Sequence, residues 1–376
     1  MGLVGWLIVF AVLPPLVISL AALYPVRANA VRLKLVADPS GQAHSTHKNT
    51  TPLGGGIGIY LGVMLPMLLG SGLVWLGNGN PDAVSWLPES ITVHFTGIAS
   101  RLGSLWGLLA AASVLFALGI WDDRSGAPVS VRLLIEFAVA AFVVYYLEFG
   151  LTAFIGDAWI TNLLSVIWIV AVINSFNMLD NMDALSGGVA AIIAAAMAAV
   201  MLTTPSPGSG QPQLFVAGLL LSVCGALLGF LWHNRPPAKI FMGDGGSYLV
   251  GFLIAVSMLM ATFASAPRPH AVAAPLCAMA IPMYDMTTVL WIRIREGRSI
   301  FQGDRSHFSH RLVDLGLSRT QAVLTIHLVT ATCGLAALLL VHVTVLQAVA
   351  VLGIVACMLL LVVILESTGW QKENND

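Results

Sequence analysis

The stretch LVGWLIVFAVLPPLVISLAALY (Leu3–Tyr24) has no charged residue and is long enough to cross a bilayer as a helix. The rest of the chain resembles it: of 376 residues, 58% are hydrophobic and 9% are charged, and the mean hydropathy is +0.89. A soluble domain is about half apolar and about a quarter charged. The composition therefore predicts an integral membrane protein. The net charge of −1 gives no indication of a nucleic-acid partner.

The alternative for this first run is a cleaved signal peptide, because Ala28-Asn29-Ala30 resembles a cleavage site. A signal peptide has a positively charged start, but no Lys or Arg precedes Tyr24. We therefore expect a retained first transmembrane helix.

Similar apolar runs recur along the chain. They predict an all-α, polytopic membrane protein with about eleven transmembrane helices, forming a single integral-membrane domain over residues 1–376. The predicted spans are 3–24, 53–76, 102–120, 131–149, 159–177, 186–204, 213–232, 247–264, 271–292, 320–342 and 344–366.

Lys and Arg are distributed unequally between the loops. Fifteen of the seventeen lie in loops 25–52, 121–132, 233–246 and 293–319 or in the tail, and the other loops hold only Arg101 and Arg268. Positive charge collects on the cytoplasmic side of membrane proteins. We therefore expect the N-terminus outside and the C-terminus in the cytoplasm; the family resemblance described below implies the inner (cytoplasmic) membrane of a bacterium.

The polar residues that stand out all lie in the segments predicted to be cytoplasmic. These segments are DPSGQAHSTHKNTTPLGGG (38–56), WDDRSG (121–126), NSFNMLDNMDALSGG (174–188), FMGDGGS (241–247) and FQGDRSHFSHRL (301–312). The outer loops carry only scattered acids. Five polar segments at helix ends on one face predict one shared site.

Asp122 and Asp123 are adjacent acids at the end of a predicted span. One interpretation is a solvated helix end with Arg124 as the partner of these acids. The other is a Mg²⁺ site, because hard cations take carboxylate oxygens and are usually held together with substrate phosphates. A divalent cation would also offset the repulsion between the two carboxylates.

In the third segment, Asn174, Asn177, Asp180 and Asp183 recur every three residues. Side chains three apart share a face of a helix, so this stripe predicts either hydrogen-bonded packing against another helix or part of the site. In FMGDGGS, glycines flank Asp244, which suits either a tight turn or a close backbone approach to an anion at a helix start.

His307 and His310 lie beside Arg305 and Arg311. A basic loop is expected on the cytoplasmic side from topology alone. Two histidines and two arginines together also suit a polyanion such as a diphosphate. No Cys or third His lies nearby at the spacing of a zinc site.

The ordered motifs DD, NxxNxxDxxD, FMGD and DRxHxxH, over about residues 38–312, resemble the polyprenyl-phosphate N-acetylhexosamine-1-phosphate transferases. This family includes undecaprenyl-phosphate N-acetylglucosamine-1-phosphate transferases and phospho-N-acetylmuramoyl-pentapeptide transferases. The resemblance implies a Mg²⁺-dependent enzyme, with Mn²⁺ as an alternative cation. It would transfer a sugar phosphate from a UDP-N-acetylhexosamine to a polyprenyl phosphate lipid such as undecaprenyl phosphate and release UMP, in the first membrane step of a cell-envelope polysaccharide pathway.

The resemblance also implies roles for single residues. It makes Asp122, Asp123 and Asp244 the catalytic acids, with Asp122 as the candidate to deprotonate the lipid phosphate. Metal ligands would be Asp123, Asp244 and Asn177. The implied substrate contacts are Lys48, Asn177, Asp180, Asp183, Phe241, Arg305, His307, His310 and Arg311.

Three departures from the family pattern bear on the donor sugar: Leu53 stands where the family often has Arg, Ser309 separates the histidines, and Asn181 and Ala184 follow Asp180 and Asp183 where the family has Gly. We expect UDP-N-acetylglucosamine as the donor, with the pentapeptide donor as the alternative. The alternative from another class is a cation-coupled secondary transporter, in which acids at helix breaks bind ions. The oligomeric state is left open, a homodimer included.

Overall fold

The computed structural model describes residues 2–36, 51–151, 157–205, 210–261, 263, 268–301 and 303–373. The α-helices of these residues are α1 (Leu3–Asn29), α2 (Gly55–Gly79), α3 (Glu89–Thr92), α4 (Phe95–Ala99), α5 (Leu102–Ser125), α6 (Val129–Tyr145), α7 (Ala158–Leu179), α8 (Leu185–Thr203), α9 (Leu214–Asn234), α10 (Gly243–Met260), α11 (Ala274–Ala278), α12 (Ala280–Arg295), α13 (Phe308–Asp314), α14 (Arg319–Leu340) and α15 (Val345–Glu373). The same residues contain no β-strand and only two isolated bridges.

The helices confirm the predicted polytopic, all-α architecture. Within the described ranges, nine helices are long and apolar enough to cross a membrane, and one further span is a bent pair of helices. The prediction of eleven spans differs at 131–149, where α6 has only 17 residues. That length is at the lower limit for a span, about 17 residues, and termini on opposite sides of the membrane require α6 to cross as the eleventh span.

The bent span joins Pro269–Ala278 to Ala280–Arg295 at an angle of 65°. Pro282 has no N–H, so the Ala278 carbonyl oxygen cannot receive the usual hydrogen bond from four residues further on. Loss of this bond is a common cause of a sharp bend in a helix. The bend separates the 274–278 helix from α12, whose far end leads into the histidine loop, residues 303–311.

Helix α10 is the centre of the bundle. It packs against α2, α5, α7, α8 and α9, and 89% of its span is buried inside the protein, against 17% for the first and last spans. Glycines allow this close packing: a Cβ at Gly119 of α5 would lie 2.4 Å from the Gly245 backbone, and one at Gly56 of α2 would lie 2.4 Å from the Gly246 nitrogen. Small residues at such crossings are typical of membrane helices.

Exposed aromatic side chains mark both ends of the bundle. They are Trp75, Tyr146 and Trp159 at one end, and Trp121, Trp232 and Trp291 at the other. Trp and Tyr are enriched at both membrane–water interfaces, because each ring has an apolar body and a polar atom. Their positions fit a bundle that spans the bilayer.

Candidate functional site

The two adjacent acids at the end of α5 have different partners. The Asp123 carboxylate accepts the backbone N–H groups of Asp244 (2.8 Å) and Gly245 (3.2 Å). These N–H groups lie in the first turn of α10 and have no partner inside that helix. Asp123 therefore caps the buried central helix with a negative charge, which the positive end of a helix favours. Arg124, the alternative partner, donates instead to the Leu33 carbonyl oxygen.

Asp122 turns towards α6 and α10. Its Oδ1 accepts the Ala127 N–H at 2.7 Å, and its Oδ2 accepts from Arg132 Nη1 at 2.7 Å and from the Tyr248 hydroxyl at 2.9 Å. Arg132 Nη1 also lies 3.2 Å from the Tyr248 oxygen. The pair of acids thus joins three helices, because each carboxylate satisfies a different set of donors.

The two asparagines of the third segment also separate. Asn177 donates to Asp244 Oδ1 at 2.6 Å and to the Ser247 hydroxyl at 3.3 Å. Asn174 donates to the carboxylate of Glu136, a buried acid of α6. The stripe therefore contains both of the predicted alternatives: Asn174 makes a packing contact, and Asn177 contacts the acid of the FMGD motif.

The other two members of the stripe lie beyond the helix, because α7 ends at Leu179. Asp180 is the residue that follows α7, and its carboxylate accepts the Gly243 N–H. Asp183 accepts the Ala238 N–H at 2.9 Å. The prediction of one helical face is thus wrong for Asp180 and Asp183, although tertiary contacts still bring them to the turn before α10.

Four carboxylates come close together at this end of the bundle: those of Asp122, Asp123, Asp180 and Asp244. Of these four residues, only Asp180 lies outside the helices that are long enough to span the membrane. Burial, and then the negative charge of Asp123, raise the pKa of Asp180 to about 7, although the hydrogen bond from Gly243 acts in the opposite direction. A raised pKa is expected for a buried carboxyl group that lies close to other carboxylates.

The turn before α10 depends on glycine. Gly243 has a φ of +72°, and a Cβ there would lie 2.6 Å from an Asp123 carboxylate oxygen. Phe241, a predicted substrate contact, pairs through its backbone: its N–H donates to the Pro52 carbonyl oxygen at 2.9 Å, and its own carbonyl oxygen accepts the Gly55 N–H at 2.8 Å. These bonds join the start of α2 to the turn.

The predicted metal ligands Asp123, Asp244 and Asn177 are brought together. Among the described residues, no three His, Cys, Asp or Glu side chains are arranged as a complete metal site. Mg²⁺ does not need one, since proteins commonly hold it with one or two carboxylates, several waters and substrate phosphates. Asn177 uses its amide nitrogen to bind Asp244. The carbonyl oxygen of the same amide is then the atom that can bind a cation. The donor set therefore fits Mg²⁺ bound together with a phosphate.

The histidine loop reaches the same region. Ser309 donates to Asn181 Oδ1 at 2.6 Å, which attaches α13 to the third segment. His307 is buried, and its Nδ1 lies 2.9 Å from Asp285 Oδ2, while the Phe308 N–H donates to Asp285 Oδ1 at 2.6 Å. The structure thus attaches the loop that carries His307 to the third segment through Ser309.

The other basic residues of this loop differ in their surroundings. Arg305 is exposed. Burial, and then the charges of His307 and Arg305, lower the pKa of His310 to about 4, so His310 is neutral at pH 7. Arg311 donates to Glu366 of α15 at 3.0 Å. The predicted substrate contact by Arg311 would have to compete with this ion pair.

Hydrogen bonds to Asp304 fix the start of the histidine loop. The Asp304 carboxylate accepts hydrogen bonds from Arg293 at 3.2 Å, from Arg298 at 2.6 Å and from the Ser306 N–H at 3.0 Å. Burial alone would raise the pKa of Asp304, but the hydrogen bonds from Arg293 and Ser306 outweigh it and lower the pKa to about 2.

Sequence reasoning missed Arg132, Tyr248 and Asp285. In the sequence, Arg132 counts only among the positive charges that indicate the orientation in the membrane. Asp285 is a lone acid inside the predicted 271–292 span, and an ionisable residue inside a span is itself an indication of function, so this signal was available. Lys48, a predicted substrate contact, lies outside the described residues.

Carboxylates gathered beside a basic loop at one end of a membrane bundle are expected of an integral-membrane phosphotransferase, which must bring anionic substrates together. Residues 105–262 match the profile of Glycosyl transferase family 4. The chain is 30% identical over 332 residues to the decaprenyl-phosphate N-acetylglucosaminephosphotransferase of Mycobacterium tuberculosis, covering 83% of this chain and 77% of the relative. It therefore belongs to glycosyl transferase family 4.

Two further relatives have related names. The probable undecaprenyl-phosphate N-acetylglucosaminyl 1-phosphate transferase of Bacillus subtilis is 27% identical over 355 residues, 93% of this chain and 88% of the relative. The undecaprenyl-phosphate alpha-N-acetylglucosaminyl 1-phosphate transferase of Escherichia coli is 29% identical over 321 residues, 82% of this chain and 77% of the relative. All three names contain N-acetylglucosamine and a polyprenyl phosphate.

Proposed function

We propose that this protein transfers N-acetylglucosamine 1-phosphate from UDP-N-acetylglucosamine to a polyprenyl phosphate such as undecaprenyl phosphate, with release of UMP. The names of the relatives support both the sugar and the class of lipid. Membership of the family argues against the alternative of a cation-coupled transporter.

The observation that carries the proposal is the contact between Asp123 and the first turn of α10. It brings the paired acids of one motif against the acid of another, with Asn177 bonded to the same Asp244. Transfer of a phosphoryl group needs alignment of two anions and neutralisation of their charge more than covalent work by the protein. Acidic ligands for a cation next to a cationic loop meet that need.

We propose Mg²⁺ as the cofactor, held by Asp123, Asp244 and the Asn177 carbonyl oxygen together with the donor diphosphate. Bound there, the cation would neutralise the diphosphate and stabilise the UMP that leaves. The protein fixes the positions of these carboxylate oxygens at helix ends. Asp123 is held by a hydrogen bond from the α10 backbone, and Asp244 is held by a hydrogen bond from Asn177.

For the acceptor, we propose that Arg132 binds the lipid phosphate. Arg132 lies at the same end of the bundle and contacts Asp122 at 2.7 Å. Its side chain is 24% exposed, whereas that of Asp122 is 7% exposed, so an incoming anion reaches Arg132 first. If the guanidinium turns towards the phosphate, Asp122 Oδ2 loses a donor and becomes available to accept the proton of the phosphate. The base role that the resemblance implies for Asp122 therefore depends on Arg132.

We also propose that the site opens to the cytoplasm, with the N-terminus outside and the C-terminus inside the inner membrane. The distribution of Lys and Arg supports this orientation. UDP-sugars are made in the cytoplasm, so a site on that face has direct access to the donor.

The test is UMP release by the purified protein with UDP-N-acetylglucosamine, polyprenyl phosphate and Mg²⁺, with the lipid product measured in parallel. UDP-N-acetylmuramoyl-pentapeptide competes in a second assay. Release of UMP only when the lipid is present supports the reaction. Preferential use of the pentapeptide donor would contradict the proposed sugar but not the class of reaction.

A further inference from the structure

Asp285 is a carboxylate at the centre of α12 that none of the motifs contains. Its side chain is fully buried, and removing a carboxylate from water is unfavourable unless hydrogen bonds replace the water. Both of its oxygens receive a hydrogen bond from the histidine loop: Oδ2 from His307 Nδ1 at 2.9 Å, and Oδ1 from the Phe308 N–H at 2.6 Å.

These two bonds determine which nitrogen of His307 faces the site. An ionised carboxylate only accepts hydrogen bonds, so the proton of His307 lies on Nδ1. The nitrogen left for a ligand is then Nε2, which donates a hydrogen bond to a diphosphate oxygen in the imidazolium form of the ring. A carboxylate behind a histidine orients the ring in this way in catalytic triads and metal centres.

The same contact also orients the backbone around the ring. His307 precedes the first residue of α13, and Phe308 begins this helix. Phe308 is fully buried and packs edge to face on Tyr284, the residue before Asp285 in α12, with ring centroids 5.5 Å apart. Asp285 therefore positions both the side chain of His307 and the helix that carries it.

The first turn of this helix also contacts the segment that carries the acids. Ser309 donates to Asn181, which lies next to Asp180 in the acidic cluster. His310 is less suited to bind an anion, since burial keeps its imidazole neutral at pH 7. His307 is therefore the histidine that a buried carboxylate, Asp285, orients. Its loop is also attached to the acid site through Ser309.

We infer that Asp285 is a positioning residue for binding of the donor: it holds His307 so that Nε2 contacts the diphosphate of the UDP-sugar. Asp285 does not touch the substrate and acts through His307. This inference rests on the proposed function, because it takes the donor diphosphate as the ligand.

The experiment is a double-mutant cycle with Asp285→Asn, His307→Gln and the double variant. We expect Asp285→Asn to raise the KM for UDP-N-acetylglucosamine roughly tenfold, the loss expected for one well-placed hydrogen bond to a charged group. The KM for the polyprenyl phosphate should change less than about twofold, because the acceptor does not contact His307 in this scheme. In the His307→Gln background, Asp285→Asn should have almost no further effect, since its partner is already lost.

Asp314→Asn is the matched control. Asp314 lies on the same short helix, α13, but is exposed, and the substitution makes the same chemical change. We expect both KM values to stay within about twofold of those of the unaltered protein. If Asp285→Asn cannot be purified in folded form, Asp285→Ser replaces it in the cycle, because it is smaller and also uncharged.

Binding of UDP, followed as the shift in melting temperature that it causes, separates this inference from the proposed function. UMP release by the unaltered protein tests the function. The cycle repeated on the UDP-induced shift tests Asp285, whichever sugar the enzyme prefers. Equal effects of Asp285→Asn with and without His307, equal increases in both KM values, or no shift by UDP in the unaltered protein would overturn the inference.

Discussion

Gly119 gives the sharpest test of the site geometry. It lies in α5, one turn before Asp123, at the point where α5 crosses the start of α10. A Cβ added there would lie 2.4 Å from the Asp244 carbonyl carbon and from the Gly245 Cα. An ordinary contact begins at 3.4 Å, and both obstacles are backbone atoms that no change of rotamer can move. In Gly119→Ala the two helices must therefore separate by about 1 Å at this crossing.

The hydrogen bonds from α10 to Asp123 are now 2.8 and 3.2 Å long. A separation of that size would stretch them to roughly 3.8 and 4.2 Å, beyond the range of hydrogen bonds. Forcing extra carbon into a packed interior costs about 1–3 kcal/mol of folding free energy. A misplacement of about 1 Å among reacting groups lowers the rate about 100-fold. We therefore expect turnover to fall by about two orders of magnitude, with a moderate loss of stability.

The assay is UMP release at saturating donor and lipid, with the melting temperature in detergent measured on the same samples. Gly103→Ala is the control, because Gly103 lies in the same helix with nothing within 4 Å of the added carbon. It should keep full turnover and a stability close to that of the unaltered protein, because Gly103 is the second residue of α5 and the propensity gain of Ala applies to helix interiors. Turnover of Gly119→Ala close to that of Gly103→Ala would refute the claim that this crossing positions Asp123.

Three further predictions address the cation, the loop and the topology. Asp123→Asn keeps the size of the side chain but removes its charge, so kcat should fall at least about 100-fold in an inserted, folded protein; near-normal turnover at saturating Mg²⁺ would exclude Asp123 as a ligand. Asp304→Asn should lower the melting temperature at pH 7. Because the pKa of Asp304 is about 2 in the folded protein and 3.8 ordinarily, the difference should persist above pH 4 and vanish as the pH falls to about 2; a difference that is independent of pH in this window would argue against the charge. Cysteine at Ser125 should react only with reagents that enter the cytoplasm and cysteine at Ser85 with impermeant ones, and the opposite pattern would invert the proposed orientation.

The positions of the membrane helices follow from the sequence alone. In lipid every backbone polar group must be paired within the segment, and a single apolar segment achieves this only as a helix. The uncharged run of residues 3–24 is therefore predicted to be helical, and α1 spans Leu3–Asn29. The grouping of the polar motifs followed from counting Lys and Arg, because alternation of the spans puts every second loop on one side. Segments 121–126, 174–188 and 241–247 therefore lie on one side of the membrane by their charge and spacing alone.

Local periodicity was a weaker guide at the helix ends. The spacing of Asn174, Asn177, Asp180 and Asp183 predicted one helical face, but α7 ends at Leu179. The two acids reach the turn before α10 through the Gly243 and Ala238 N–H groups instead. A three-residue repeat describes a face only while the helix lasts, and the point where a helix stops depends on neighbours that are distant in the chain.

Adjacent residues show most directly what only the tertiary structure decides. Asp122 and Asp123 are the same amino acid in the same motif, yet one binds Arg132 and Tyr248 and the other caps α10. Composition and hydropathy determine that both acids lie at a helix end near the interface, because those properties belong to each residue and its immediate neighbours. The partner of each acid depends on the direction of its side chain and on how closely Gly119 lets α5 approach α10, which are properties of the packed bundle.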